Sequence, residues 1–215
     1  MGLKEFNGIK MKVCLFDCGG VIYPYSLAPF KKWVSEQTLK QSFSFKWKEV
    51  MTGELSFASF SKNVCEQIGI CYTPIIQKEI KESLLKGMGN FYSETKELMT
   101  YLKEKKIQMG LLSNALPAFE GTLDELPLKK EFIFPSYQMG LLKPDKRIFK
   151  AVLEKMHLQP SEVLFIDDKK ENVEAALYLG MKSFVFQKET ALGDLKKIMG
   201  ERNVGYIRHR RCYCR

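Results

Sequence analysis

Short apolar runs recur along the chain at intervals that admit a helix between them. Met11–Phe16 (MKVCLF) is followed by Ile107–Leu112 (IQMGLL), Phe132–Phe134, Val163–Ile166 (VLFI) and Ser183–Phe186. Each is too short for a helix and mostly apolar, the pattern of a strand covered on both faces. Between them the spacing of apolar residues shifts to a helical period over Ser93–Lys105, Lys146–His157 and Glu171–Leu179, with Gly180 where a C-terminal cap belongs. Strand and helix in alternation predict βαβ units and a mostly parallel sheet.

Residues from about Leu27 to Lys86 break that rhythm. Helix-period segments near Leu27–Lys40, Phe57–Ile68 and Pro74–Leu85 follow one another without a strand, and Gly87, Gly89 and Asn90 then form a joint. The expected architecture is an α/β fold with a Rossmann-like, mostly parallel sheet and an inserted helical cap. Residues 11–22 and 91–200 would form the core domain, 23–90 the cap and 201–215 a flexible basic tail. No internal repeat interrupts this reading.

Composition sharpens it. At 215 residues, 45% hydrophobic and 27% charged, the chain can bury a core without disulfide or metal staples, and a disordered or fibrous chain is excluded. There is no run of 18 apolar residues to span a membrane, and Met1–Lys12 is polar and basic, unlike a secretory signal. Met11 is a plausible natural start, since the ordered pattern begins there. The six cysteines are scattered, with Cys14 inside an apolar run, and the expectation is a reduced, cytoplasmic protein. Cys212 and Cys214 are the only close pair and have no partners at zinc-site spacing.

The net charge of +9 includes Arg208, Arg210, Arg211 and Arg215 near the C-terminus. A solvated surface with a frayed tail explains this charge. So would an anionic partner, whether phosphorylated metabolite, nucleic acid or membrane surface. The tail carries no recognition fold, which argues against nucleic acid. Nothing in the pattern specifies an oligomeric state.

In open parallel sheets ligands gather beyond the carboxyl ends of the strands. Asp17 follows the first strand there, Ser113 and Asn114 the second, and Asp167 and Asp168 the VLFI strand. Lys143 lies in a loop beside Pro144. Singly, each has an ordinary role: Asp17 a turn, Ser113 or Asp168 a helix cap, Lys143 a solvated loop. Together they bring three carboxylates, a hydroxyl and an ammonium to one edge. Clustered carboxylates repel unless a cation sits among them, and an oxygen-only donor set with few protein ligands suits Mg²⁺. A carboxylate there can attack phosphorus, while Lys143 and Ser113 balance charge on the transferring group.

These residues lie in four segments, LFDCGGVI (Leu15–Ile22), LLSNA (Leu111–Ala115), GLLKPDKRIF (Gly140–Phe149) and LFIDDKKENV (Leu164–Val173). Their order and content resemble the four motifs of the haloacid dehalogenase-like hydrolase superfamily, and TGELSF (Thr52–Phe57) resembles a stretch of that family's helical cap. The resemblance extends to about residue 190. It implies that Asp17 is the nucleophile and a metal ligand, with the Gly19 carbonyl as a second. Asp168 would be a direct ligand, and Asp167 direct or through water. Ser113, the Asn114 backbone and Lys143 would hold the transferring group, and Asn172 would support the metal loop. The implied activity is Mg²⁺-dependent hydrolysis of a small phosphorylated metabolite, a sugar phosphate among the candidates, through an aspartyl phosphate.

One position departs from the pattern. Phosphatases of the family usually carry a second Asp two residues after the nucleophile as general acid and base, and here Gly19 stands there. A positioned acid contributes roughly 10²–10⁴-fold. The resemblance then leaves several outcomes: a slow phosphatase, a preference for less basic leaving oxygens such as that of a sugar 1-phosphate, a proton drawn from substrate, water or a cap residue such as Glu54, or a binding and regulatory member of weak activity. The dehalogenase branch also lacks that Asp, but it lacks the acidic pair as well and works without metal, so Asp167 and Asp168 favour phosphoryl transfer. Tyr23, Tyr25 and Trp47 are candidates to line the entrance, with packing inside the cap as the preferred reading.

Overall fold

The computed structural model describes residues 11–33, 46–122 and 126–201. Five strands form one parallel sheet: β1 (Val13–Phe16), β2 (Gln108–Ser113), β3 (Ile133–Pro135), β4 (Val163–Asp167) and β5 (Lys182–Val185), in the order β3-β2-β1-β4-β5. Central β1 pairs with both β2 and β4, Val13 standing opposite Gln108 on one side and Val163 on the other. The sheet therefore reverses direction of growth at β1, the place where an open parallel sheet leaves a crevice at its carboxyl edge.

Successive residues of each central strand face opposite sides. Cys14, Phe16, Leu111, Leu164 and Ile166 enter one hydrophobic cluster; Val13, Leu15, Leu112, Val163 and Phe165 enter the other. Helices α6 (Lys146–Met156) and α7 (Lys170–Tyr178) cover the second side, with Ile148, Phe149, Val152 and Ala176 packed inward. Helices α4 (Ser93–Glu104) and α8 (Ala191–Ile198) cover the first through Leu98, Leu102 and Leu195.

In the segment between β1 and α4, none of the described residues forms a strand of the sheet. A 3₁₀ turn (Ala28–Lys32) and helices α1 (Trp47–Met51), α2 (Phe57–Gln67) and α3 (Pro74–Leu85) occupy it. Helix starts follow their caps: Ser56 accepts from the Ser59 N–H, Thr73 from Ile76, and Pro74 takes the first-turn position that needs no donor. Phe30, Phe60, Val64 and Ile80 join the first cluster, so the insert shares a core with one side of the sheet. Two chain crossings connect it, and they run side by side. Tyr25 and Met88 form an antiparallel bridge, and the Gly89 and Ser26 N–H groups donate to Pro24 and Gly87 carbonyls at 3.0 and 2.9 Å.

The sequence pattern places the strands within two residues of their observed limits. The helix expected over Leu27–Lys40 is a 3₁₀ turn as far as Lys32, and residues 34–45 lie outside the description. The basic tail with Cys212 and Cys214 does as well. Helices α1, α8 and the short α5 (Ser136–Met139) were not anticipated. They are brief, and their apolar positions are too few to establish a period. Gly180 follows α7 with φ +87, the left-handed C-terminal stop its position suggests. Cys14, Cys18, Cys65 and Cys71 are free thiols. Among the described residues no helix is long and apolar enough to cross a membrane.

Candidate active site

The carboxyl edge of the sheet brings together the residues that sequence places there. Asp17 follows β1 directly, its N–H donating to the Ile166 carbonyl at 2.8 Å, so the ladder fixes it beside β4. Asp167 ends β4 and Asp168 is next; Ser113 ends β2. Carboxylate oxygens of Asp17, Asp167 and Asp168 all lie within 4.8 Å of one another.

Lys143 enters this cluster from the loop between α5 and α6. Its Nζ lies 2.9 Å from Asp17 Oδ1 and 2.6 Å from Asp167 Oδ2. Only 4% of the residue is exposed. Burial opposes a charged ammonium, but the two carboxylates outweigh it through charge and hydrogen bonding, and the lysine pKa stands above its ordinary value. The loop is pinned by Asn114, whose side-chain oxygen accepts from the Lys143 N–H and whose amide donates to the Lys143 carbonyl, both at 2.9 Å.

Asp167 has no exposed surface. Its oxygens accept from the Lys143 ammonium, the Lys169 N–H at 2.9 Å and the Asn172 amide at 2.9 and 3.0 Å. It is thus committed to holding Lys143 in place. Asp168 differs: it is open to solvent on one side. Lost hydration, then the like charges of Asp17 and Asp167, push its carboxyl up to about 6. Gly20 makes room for it. With φ +82, a Cβ on Gly20 would lie 2.3 Å from Asp168 Oδ2.

The donor set fits a small hard cation. All its donors are oxygens, and three carboxylates against one ammonium leave two negative charges uncompensated. The 4.8 Å limit is a little more than the ~4.2 Å across an octahedron with ~2.1 Å bonds.

Beside the cluster lies a cavity of about 80 Å³. Gly19, Ser113 and Asn114 contribute to its wall from the core, and Tyr23, Tyr25 and Met88 from the crossings to the insert. Both tyrosines therefore line the site, contrary to the preferred packing reading. Trp47 instead packs inside the insert, its ring 5.7 Å from Phe30 and 5.0 Å from Phe60. Glu54 is exposed and is not part of the cavity wall. Cys18 is part of that wall. Burial first, then the Asp17 charge, pushes its thiol up to about 12 against the opposing pull of Lys143, so it stays protonated.

Ser136 carries no sequence signal, yet it joins three parts of the molecule. Its hydroxyl donates to the Met51 carbonyl of the insert at 2.7 Å and accepts from the Ala115 N–H at 3.0 Å. Met88 and Phe119 also went unread, being apolar residues that reach the cavity only through the fold.

Comparison with known proteins agrees with this geometry. The family model for haloacid dehalogenase-like hydrolases matches residues 11–180. The chain is 28% identical over 214 residues to acyl-CoA dehydrogenase family member 10 of Mus musculus, aligning 90% of this chain but spanning only 20% of that protein. It is 28% identical over 149 residues to D-ribitol-5-phosphate phosphatase of Bacteroides thetaiotaomicron, with 64% of this chain and 69% of the relative aligned. Among solved structures, a HAD family enzyme of Bacteroides thetaiotaomicron in complex with magnesium and inorganic phosphate superposes with a TM-score of 0.69 at 25% identity, covering 83% of this chain and 95% of that one.

Proposed function

The chain belongs to the haloacid dehalogenase-like hydrolase family, and on that footing we propose that it is a Mg²⁺-dependent phosphatase of a small phosphorylated metabolite, acting through an aspartyl phosphate on Asp17. The observation that carries this reading is the meeting of Asp17, Asp167 and Asp168 within 4.8 Å, around the Lys143 ammonium. Phosphatases among its relatives and a neighbour that holds magnesium and phosphate support it.

Asp17 and Asp168, with the Gly19 carbonyl, would hold the ion. Asp167 would meet it through water, since its own oxygens are already engaged. The ion supplies positive charge that lets an anionic phosphoryl group approach an anionic nucleophile. Asp17 attacks phosphorus, and the ammonium of Lys143 and the hydroxyl of Ser113 take up charge on the equatorial oxygens. Asn114 and Asp167 hold Lys143 where this is possible, and Asn172 holds Asp167. Residues 11–22 and 91–200 act as the catalytic core. Residues 23–90 act as a cap that limits water and selects substrate. The free thiols suit a reducing compartment such as the cytoplasm.

Phosphate release from an activated aryl phosphate, assayed with and without Mg²⁺, tests the assignment. Asp17→Asn should reduce turnover by at least 10³-fold while the circular dichroism spectrum is unchanged. Retained turnover would remove Asp17 from the mechanism, and no turnover by the unmodified chain would favour a binding or regulatory role.

A further inference from the structure

The cavity beside Asp17 says what kind of group leaves. It rests on residues 18–19 and 113–115, the neighbours of the nucleophile and of Ser113, and its remaining wall is Tyr23, Tyr25, Met88 and Phe119. The aromatic side chains are held by ring contacts, Tyr25 edge-on to Phe119 at 5.8 Å and Tyr23 tilted against Phe91 at 5.4 Å. Asn114 is occupied with both backbone groups of Lys143. Among the described residues, no side chain on the wall is a carboxylic acid or an imidazole.

Position 19 is bare, and a Cβ there would meet only the Tyr25 Cβ, at an ordinary 3.5 Å. No neighbouring side chain fills the space of the missing acid. A simple alkoxide is about as basic as hydroxide (water, pKa ~15.7) and is a poor leaving group unless protonated as it departs. A wall whose described side chains offer aromatic and thioether contact, with phenol, alcohol and thiol protons but neither a carboxylic acid nor an imidazole, is matched to a less basic leaving group.

We propose that the substrate carries its phosphate on a weakly basic, resonance-stabilised oxygen of an apolar group, an acyl, enol or aryl phosphate whose body lies against Tyr23, Tyr25 and Met88. This rests on the phosphatase reading and narrows its substrate. An Asp17 carboxylate oxygen bonds to phosphorus as the bond from phosphorus to the leaving oxygen breaks. The electron pair stays on that oxygen, which departs as carboxylate, enolate or phenolate without a proton. Water then bonds to phosphorus, the phosphorus–aspartyl oxygen bond breaks, Asp17 regains its carboxylate, and of the water's two protons one stays on the phosphate and the other passes to solvent. Tyr23, Tyr25 and Met88 are the specificity-determining residues.

The test uses the full chain with Mg²⁺ and kcat/KM values for substituted phenyl phosphates of graded leaving-group pKa, together with benzoyl and acetyl phosphate, whose leaving oxygens are of similar basicity. The expected result is a steep decline, approaching tenfold per pKa unit, and a benzoyl preference of about tenfold or more. Gly19→Asp should flatten the decline and Gly19→Asn should not, which separates proton donation from filled space. A flat dependence in the unmodified chain would overturn the proposal and leave the phosphatase assignment standing. Equal or better use of acetyl phosphate would overturn the apolar body. Failure to cleave even the most activated ester with Mg²⁺ present would sink the phosphatase reading itself.

Discussion

Lys143 Nζ stands 2.6 Å from Asp167 Oδ2, the ammonium almost wholly enclosed and the carboxylate without exposed surface. Removing one partner of such a pair leaves an uncompensated buried charge and costs about 3–5 kcal/mol. Lys143→Met should lower the unfolding free energy from urea titration by that amount at pH 7, seen as a lower midpoint. An unchanged midpoint would mean that the pair is loosely held in solution.

The same contact has a pH signature. Lys143 keeps its proton to higher pH in the fold than in the unfolded chain. Its contribution is therefore complete below the unfolded value of about 10.4 and is withdrawn as pH rises through the higher folded one. Urea midpoints measured on either side of that window should fall further for the unmodified protein than for Lys143→Met. Parallel losses would deny the linkage.

Gly20→Ala strikes the cluster from the other side. The new methyl would overlap Asp168 Oδ2 and force a left-handed backbone on a side chain that resists it. Calorimetric titration with MgCl₂ should show affinity weakened at least tenfold. Wild-type affinity would place Asp168 outside the metal site.

Mg²⁺ itself should stabilise the fold. At a concentration one hundred times its dissociation constant, a ligand of the folded state alone adds about 2.7 kcal/mol. The melting temperature should rise with MgCl₂, return on chelation, and respond little in Asp168→Asn. A full response in that variant would contradict the assigned ligand.

Ser136→Ala removes the hydroxyl that ties the Met51 carbonyl to the Ala115 N–H. Buried groups left unpaired cost about 1–3 kcal/mol. We expect a loss of that size, with faster amide exchange at Ala115. An exchange rate equal to wild type would show that the tie is dispensable.

The polar edge of the sheet was legible in the sequence because each polar residue there follows an apolar strand or lies in a recognisable loop. Asp17, Ser113, Asp167 and Asp168 need only the strand ends and a parallel order to converge. Lys143 could be placed there only in company with the others, since a loop lysine beside proline has no pattern of its own. The division of labour between the acidic pair was not legible: Asp167 and Asp168 are chemically alike, and only the partners Lys169, Asn172 and Lys143 set them apart. Tyr25 and Met88 were obscure for a related reason. Residues 63 apart in the chain become cavity neighbours only once the two crossings pair.

That pairing restricts how substrate can be admitted. Two strands tied to each other at Tyr25–Met88, Gly89–Pro24 and Ser26–Gly87 resist twisting independently. The helical lobe is hung like a door on a double pin, stiff against sliding or rotating in plane, and any swing about that line must also break the Ser136–Met51 hydrogen bond and part the shared core. Because Tyr25 and Met88 sit on that pin as well as on the cavity wall, whatever occupies the space between them also sets the angle at which the door rests.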